Sequence, residues 1–295
     1  MDLIGNETGK QTGNGIGNGS DDAGLAFVKG HGTRNDFVVL PDLDGSLDLH
    51  ADLVAALCDR RGGIGADGVL RVVRSGNDPA AVAMAAEAAW FMDYRNADGS
   101  LSETCGNGLR VFARFLVDAG LAQPGRLAIA TRAGIVHVDL ATEGDVTVDM
   151  GAPAVFETSA AGIDGVKYEG LHVSMGNPHL VCITDTNVDS LDLTRHPEVD
   201  ESVFPDGVNV EFVNVIDETH AVMRVHERGV GETESCGSGA CAVAAALAVR
   251  QNVAGGEWDL DVPGGRLRLI LDPVNAHVFL RGPAVLVAAG HWIAH

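Results

Sequence analysis

Along most of the chain, apolar residues come in short stretches broken by Gly, Asn and Asp. LAFV (25–28), VLRVV (69–73), AVMRV (221–225) and RLRLIL (266–271) have the length and composition of β-strands. The polar phrases between them read as turns at strand ends: HGTRNDFVVL (31–40), RRGGIGADGVL (60–70), FMDYRNADGS (91–100), MGNPHLV (175–181), FPDGVNVEF (204–212) and VHERGVGETESCGSG (225–239). Two segments break this rhythm. In GLRVFARFLVDAG (108–120), Leu109, Phe112 and Leu116 recur at helical spacing and Gly120 ends the pattern. ACAVAAALAV (240–249) is apolar almost all round, which predicts a fully buried helix.

Both predicted helices begin with nearly the same phrase. Residues 103–108 read ETCGNG and residues 234–239 read ESCGSG, with Cys105 and Cys236 in the same slot. Each Cys stands at or just before a helix N-terminus, in a turn whose glycines let a ligand approach the backbone. A helix start carries unpaired N–H groups and the positive end of the dipole. It therefore favours a thiolate and receives an anionic group such as a carboxylate. One CGxG turn alone reads as a helix cap with a buried Cys. Two copies with matching flanks predict a duplicated unit whose thiols face each other across a cleft. One thiolate would remove the proton alpha to a carboxylate, and the other thiol would deliver one to the opposite face. The helix ends would stabilise the charge that builds between these steps.

Composition narrows the alternatives. The chain has 295 residues, 46% hydrophobic and 21% charged, enough for a core and for two domains. A net charge of −21 argues against nucleic acid and anionic membranes as partners. The longest apolar run, Ala240 to Val249, is about half of what a bilayer requires. Residues 1–22 lack the pattern of a signal peptide and read as a disordered Gly/Asn-rich extension, so a cytoplasmic protein is expected. Five cysteines with no CxxC pair argue against a disulfide scaffold and a zinc site; no metal is expected. Cys58, Cys182 and Cys241 sit in apolar stretches and read as core residues. Only Lys10, Lys29 and Lys167 are available, none in a Schiff-base context, so a route without pyridoxal phosphate or another cofactor fits better.

Taken together, ADGVLRVV, MDYRNADGS, CGNG, GNPHL, PDGVNVE, ERGVGET and SCGSG, in this order between Phe27 and Val287, resemble the diaminopimelate epimerase family. CGxG alone is shared with proline racemases and phenazine-pathway isomerases. The resemblance implies an α/β (α+β) fold of two pseudo-twofold-related domains, each a mostly antiparallel sheet wrapped around a central helix. It implies interconversion of LL- and meso-2,6-diaminopimelate, a step toward lysine and peptidoglycan precursors. Cys105 and Cys236 match the catalytic thiols, with Cys236 assigned as proton acceptor and Cys105 as donor in the LL-to-meso direction. Gly106, Asn107, Gly237 and Ser238 match the carboxylate cradle. Asn35, Asn96, Asn177, Asn209, Glu227 and Arg228 match substrate-binding positions, and His179 and Glu227 match thiol-tuning groups. On residue chemistry alone, Glu227 and Arg228 would read as a surface ion pair and the asparagines as turns.

Three positions depart from the family pattern: Gly68 where Gln is frequent, Ser238 for Thr, and Thr104 before the first Cys. The expected domains are 23–151 plus 282–295, and 152–281, with a hinge near 145–153. The expected partner is a small molecule, and the expected assembly a homodimer. The rivals are a proline- or hydroxyproline-type racemase, a dithiol redox protein, and a carboxylate-binding module without turnover.

Overall fold

The computed structural model describes residues 24–293; the predicted 1–22 extension lies outside the described residues. The first half contains strands β1 (Leu25–Gly32), β2 (Asn35–Pro41), β3 (Gly68–Arg74), β4 (Trp90–Asn96), β5 (Gly125–Thr131), β6 (Gly134–Leu140) and β7 (Val146–Asp149). Helix α1 (Ala51–Cys58) follows β2, and α2 (Gly106–Asp118) separates β4 from β5. The second half contains β8 (Ala154–Ile163), β9 (Val166–Ser174), β10 (Pro178–Ile183), the short β11 (Glu198–Val199), β12 (Asn209–Asp217), β13 (His220–Glu227) and the short β14 (Gly231–Thr233). Helix α3 (Gly237–Gln251) comes next, then β15 (Gly256–Val262), β16 (Gly265–Leu271), β17 (Val278–Gly282) and β18 (Val285–Trp292).

The pairing repeats strand for strand. The order β18-β1-β2-β3-β4-β5-β6-β7 runs antiparallel, antiparallel, parallel, antiparallel, parallel, antiparallel, antiparallel. The order β8-β9-β10-β12-β13-β15-β16-β17 has the same sequence of directions. The two halves join where β7 pairs antiparallel with β17, Val148 opposite Leu280. The last strand, β18, crosses back to pair with β1. This is the pseudo-twofold, two-domain α+β arrangement expected from the sequence.

Each half wraps its strands around one helix. α2 packs against β1, β2, β6, β7 and β18, and α3 against β9, β10, β12, β16 and β17. In α2, Leu109, Phe112 and Leu116 are buried with Val111, Phe115, Met92, Ile129 and Val148. Past its end, Gly120 takes φ +70°, and Leu121 N donates to Leu116 O at 2.8 Å, closing the last turn as predicted from the glycine. α3 is buried from Ala240 to Ala248, so small Ala side chains let the surrounding strands approach closely. Burial stops one residue short of the apolar run, since Val249 is 55% exposed. Asn252 ends α3 in the left-handed conformation. No described helix is long and apolar enough to cross a membrane.

Tight packing around α3 has a measurable consequence. Ala244 is fully buried, so Ala244→Leu should overpack the core and lower stability by about 1–3 kcal/mol. Chemical denaturation is the check, and an unchanged midpoint with unchanged slope would contradict this picture of α3.

Candidate active site

The two similar phrases fold alike. Cys105 is the N-cap of α2, and its Sγ accepts from Gly108 N at 3.4 Å. Cys236 is the N-cap of α3, and its Sγ accepts from Gly239 N at 3.4 Å. Both caps have extended backbone, which turns the chain sharply into each helix. The helix starts meet: a Cβ on Gly237 would lie 3.5 Å from Gly106 Cα and 3.6 Å from Asn107 N. Thus Gly106, Asn107, Gly237 and Ser238 form one region where two sets of first-turn N–H groups converge.

Contacts across the halves pin this region. Thr33 Oγ1, at the β1–β2 turn, lies 2.7 Å from Ser235 Oγ, just before Cys236. Asn107 Nδ2 donates to Ser235 O at 3.2 Å and to Asn35 Oδ1 at 3.2 Å. The fully buried Arg110 donates to Thr33 Oγ1 and to Pro283 O, both at 3.2 Å. Burial lowers its guanidinium to about 10, so it remains a cation at neutral pH.

The asparagines fall into two sorts. Asn35 Nδ2 donates to Asp67 at 2.8 Å, which leaves Oδ1 directed to Asn107 and to Cys105 Sγ, 3.7 Å away. Asn177 Nδ2 reaches Ser238 Oγ at 3.4 Å, and Ser238 Oγ lies 3.6 Å from Cys236 Sγ. These two amides stand beside the two thiols. Asn96 donates to Ser100 Oγ at 3.0 Å within its own turn. Asn209 is committed at both ends, donating to Pro178 O at 3.3 Å and accepting from Arg228 N at 2.9 Å. His179 lies fully buried between Glu211, at 2.7 Å, and Asn177 Oδ1, at 3.1 Å.

Glu227 and Arg228 do not pair with each other. Glu227 accepts from the Thr233 hydroxyl. The Arg228 guanidinium is exposed over the turn at Asp206, donating to its carbonyl at 3.3 Å, and no carboxylate holds it among the described residues. The surface ion pair that residue chemistry alone favours is therefore absent.

One sequence expectation is reversed. Helix N-termini were expected to favour thiolates, but both sulfurs sit where the neutral thiol is preferred. Burial pushes Cys105 up to about 11, against the pull of the Gly108 N–H, and the Glu227 carboxylate adds to the rise. Burial, then Glu227 and Glu211, raise Cys236 well above the usual thiol range. Burial also raises Glu227, with the Thr233 hydroxyl and the Cys236 thiol pulling the other way.

The departures from the family pattern have local causes. A Cβ at Gly68 would lie 2.5 Å from Arg95 O and 2.7 Å from the Tyr94 ring, so no side chain fits on this backbone. Ser238 keeps the hydroxyl that bridges Asn177 and Cys236. Thr104 Oγ1 is buried with no partner among the described residues. Sequence reasoning missed Asp67, Ser235, Thr33, Arg110 and Glu211. Of these, Glu211 left a signal: a carboxylate in the strand-like run VNVEF. Cys58 and Cys182 are buried, free and in other core clusters, while the buried, free Cys241 shares the α3 core with Cys236. Among the described residues no group of three or more His, Cys, Asp or Glu is arranged to hold a metal.

Known proteins resemble this chain over nearly its whole length. The diaminopimelate epimerase family profile matches residues 27–156 and 171–287. The diaminopimelate epimerase of Acidothermus cellulolyticus is 52% identical over 291 residues, covering 90% of this chain and 95% of that protein. The Streptomyces coelicolor diaminopimelate epimerase is 49% identical over 276 residues, covering 91% of this chain and 95% of that one. Among solved structures, a phenazine biosynthesis protein from Bacillus anthracis superposes with TM-score 0.68 at 16% identity, over 92% of this chain and 99% of the other. A hydroxyproline epimerase from Agrobacterium vitis gives TM-score 0.65 at 14% identity, over 90% and 91%. These two likenesses concern the fold.

The raised thiols predict slow alkylation of substrate-free protein at neutral pH. The Cys105 rate should climb with pH toward a midpoint near about 11, because only the thiolate attacks. Peptide mapping after iodoacetamide pulses across pH reads this out; a midpoint at or below pH 8 would contradict it.

Proposed function

The chain belongs to the diaminopimelate epimerase family, and on that premise we propose how its residues interconvert LL- and meso-2,6-diaminopimelate. The observation that carries the proposal is the meeting of two Cys-capped helix starts at Gly106 and Gly237. Two positive helix ends and their free N–H groups suit one carboxylate, the one attached to the reacting carbon. Asn35 and Asn177 flank it from the two halves.

In the LL-to-meso direction the Cys236 sulfur takes the α-proton, and the electron pair of that C–H bond moves toward the carboxylate. The helix N–H groups stabilise the charge there. Cys105 then releases its S–H proton to the opposite face, and the pair returns to form the new C–H bond. Each turnover ends with the thiols' protonation exchanged, and the reverse reaction uses them in the opposite order. Substrate-free, the pocket favours thiols. The substrate's α-ammonium supplies the opposite charge that lowers a neighbouring sulfur, and Glu227, its own proton affinity raised by burial, lies beside Cys236 to receive its proton. At the distal end, the unpaired Arg228 clamps the second carboxylate, with Asn96 and Asn209 around the second amino-acid group, while Glu227 accepts from the ammonium at the reacting end. The residues of this chain suffice for these steps, with no cofactor in them.

We place the protein in the cytoplasm, as a step toward lysine and peptidoglycan precursors, and as a homodimer. The proposed domains are 23–151 with 282–295, and 152–281, which follow the strand pairing of the two halves. The proline-type reading is less favoured because Arg228 stands free for a second carboxylate.

Cys105→Ala and Cys236→Ala should each lower epimerisation by at least about 100- to 10,000-fold, the range for losing an acid or base. Chiral chromatography of diaminopimelate after incubation measures it, and near-normal turnover in either variant would refute the two-thiol mechanism. Arg228→Ala should raise KM roughly 10- to 100-fold, the worth of a charge-assisted pair. An unchanged KM would remove Arg228 from the site.

A further inference from the structure

Aligning the halves by strand register sets matched positions side by side. In the first half Phe37 on β2 stands opposite Gly68 on β3, and Leu70 follows two residues on. In the second half His179 on β10 stands opposite Asn209 on β12, and Glu211 follows two residues on. All four side chains, Phe37, Leu70, His179 and Glu211, are fully buried. Each pair lies under the first turn of its helix. A Cβ at Gly108 would lie 3.2 Å from Leu70 and 3.6 Å from Phe37, and one at Gly239 would lie 2.5 Å from Glu211 Oε1. A side chain at the second glycine of CGSG would have to displace the Glu211 carboxylate pressed against α3.

An apolar pair fills this position in the first half. Burying an imidazole and a carboxylate instead is no aid to packing, since replacing such pairs by hydrophobic residues is often neutral or stabilising. The polar pair therefore does something that packing does not require.

Proton counting shows what. With Glu211 ionised and His179 neutral, Nδ1–H would face Glu211 and a bare Nε2 would face Asn177. Asn177 would then turn its NH2 to the ring and its carbonyl to Ser238. With one proton more, Nε2 carries the added proton, Nδ1 and Oε1 share the first, and Asn177 accepts at Oδ1 and turns its NH2 toward Ser238. The second arrangement is neutral overall. It is favoured here, because Glu211 Oε2 is buried with no partner among the described residues, and a net negative charge there would be unsolvated. The observed contacts, Glu211 to Nδ1 at 2.7 Å, Nε2 to Asn177 Oδ1 at 3.1 Å and Nδ2 to Ser238 at 3.4 Å, match it.

We propose that Glu211 is a positioning residue: through His179 it fixes the Asn177 amide with its NH2 toward Ser238 and the Cys236 face of the cleft. It makes two geometrically matched thiols chemically unlike. This rests on the reading of Asn177 as a substrate-contacting residue.

The test uses three variants beside wild type, read by melting temperature and by kcat and KM for LL-diaminopimelate. His179→Phe with Glu211→Leu copies the first half's apolar pair. It should fold with a melting temperature at or above wild type, yet lose about 100-fold in kcat/KM, the cost of a misplaced group near the chemistry. Glu211→Leu alone should lose a similar factor. Glu211→Gln can donate its amide to Nδ1 and keep the polarity of the chain, so it should stay within about tenfold of wild type. Wild-type turnover in either Leu variant, failure of the double variant to fold, or equal damage by Gln and Leu would overturn the proposal. An inactive wild type would sink the functional reading instead. The 15N spectrum of His179 then decides the positioning claim alone: a protonated Nε2 in wild type and Glu211→Gln supports it, and a bare Nε2 overturns it.

Discussion

Two helix N-termini aimed at one point are the constraint on which the site depends. Like dipole ends repel, and the first-turn N–H groups of both helices lack intrahelical partners. The two backbones pass close here: a Cβ on Gly237 would lie 3.5 Å from Gly106 Cα, and the Leu280 side chain presses on both glycines. The sheets hold the ends together from outside, through the β7–β17 join and through β18 returning to β1. Thr33, Ser235, Asn107 and Arg110 hold them from inside. An arrangement that brings positive ends together is completed by an anion, and a carboxylate fits without any further charged side chain.

The same geometry places a sulfur at each helix start, and burial then sets how those sulfurs behave. Helix dipoles and N–H groups pull a thiol down, but removal from water pushes it up more, and Glu227 adds to the push. Without substrate, both sulfurs therefore favour the neutral thiol. The halves then differ in detail. Cys105 faces the Asn35 carbonyl, and Cys236 faces Ser238 and Glu227. The fold is nearly symmetric, while the chemistry of a substrate with two ends is not.

The repeated phrase made the helix starts, the two thiols and the duplication legible, because capping and helical periodicity are local. The buried Ala-rich helix was legible for the same reason. Strand order was not, since parallel pairing of β2 with β3 or β10 with β12 joins segments that share no local signal. Thiol ionisation was misjudged because burial comes from residues distant in sequence. Asp67, which orients Asn35, and Ser235, which bridges the halves, are ordinary turn residues by type. Only the structure shows that Gly68 is excluded from bearing a side chain by the Arg95 carbonyl and the Tyr94 ring.

The most direct test of the two-thiol account is proton exchange followed by NMR. Reduced protein is incubated with LL-diaminopimelate in deuterated water without added cofactor, beside L-proline and L-glutamate. The account predicts meso product carrying deuterium at a single alpha carbon, and no exchange in the other two amino acids. Folded protein with both thiols free that leaves LL-diaminopimelate unexchanged would contradict it.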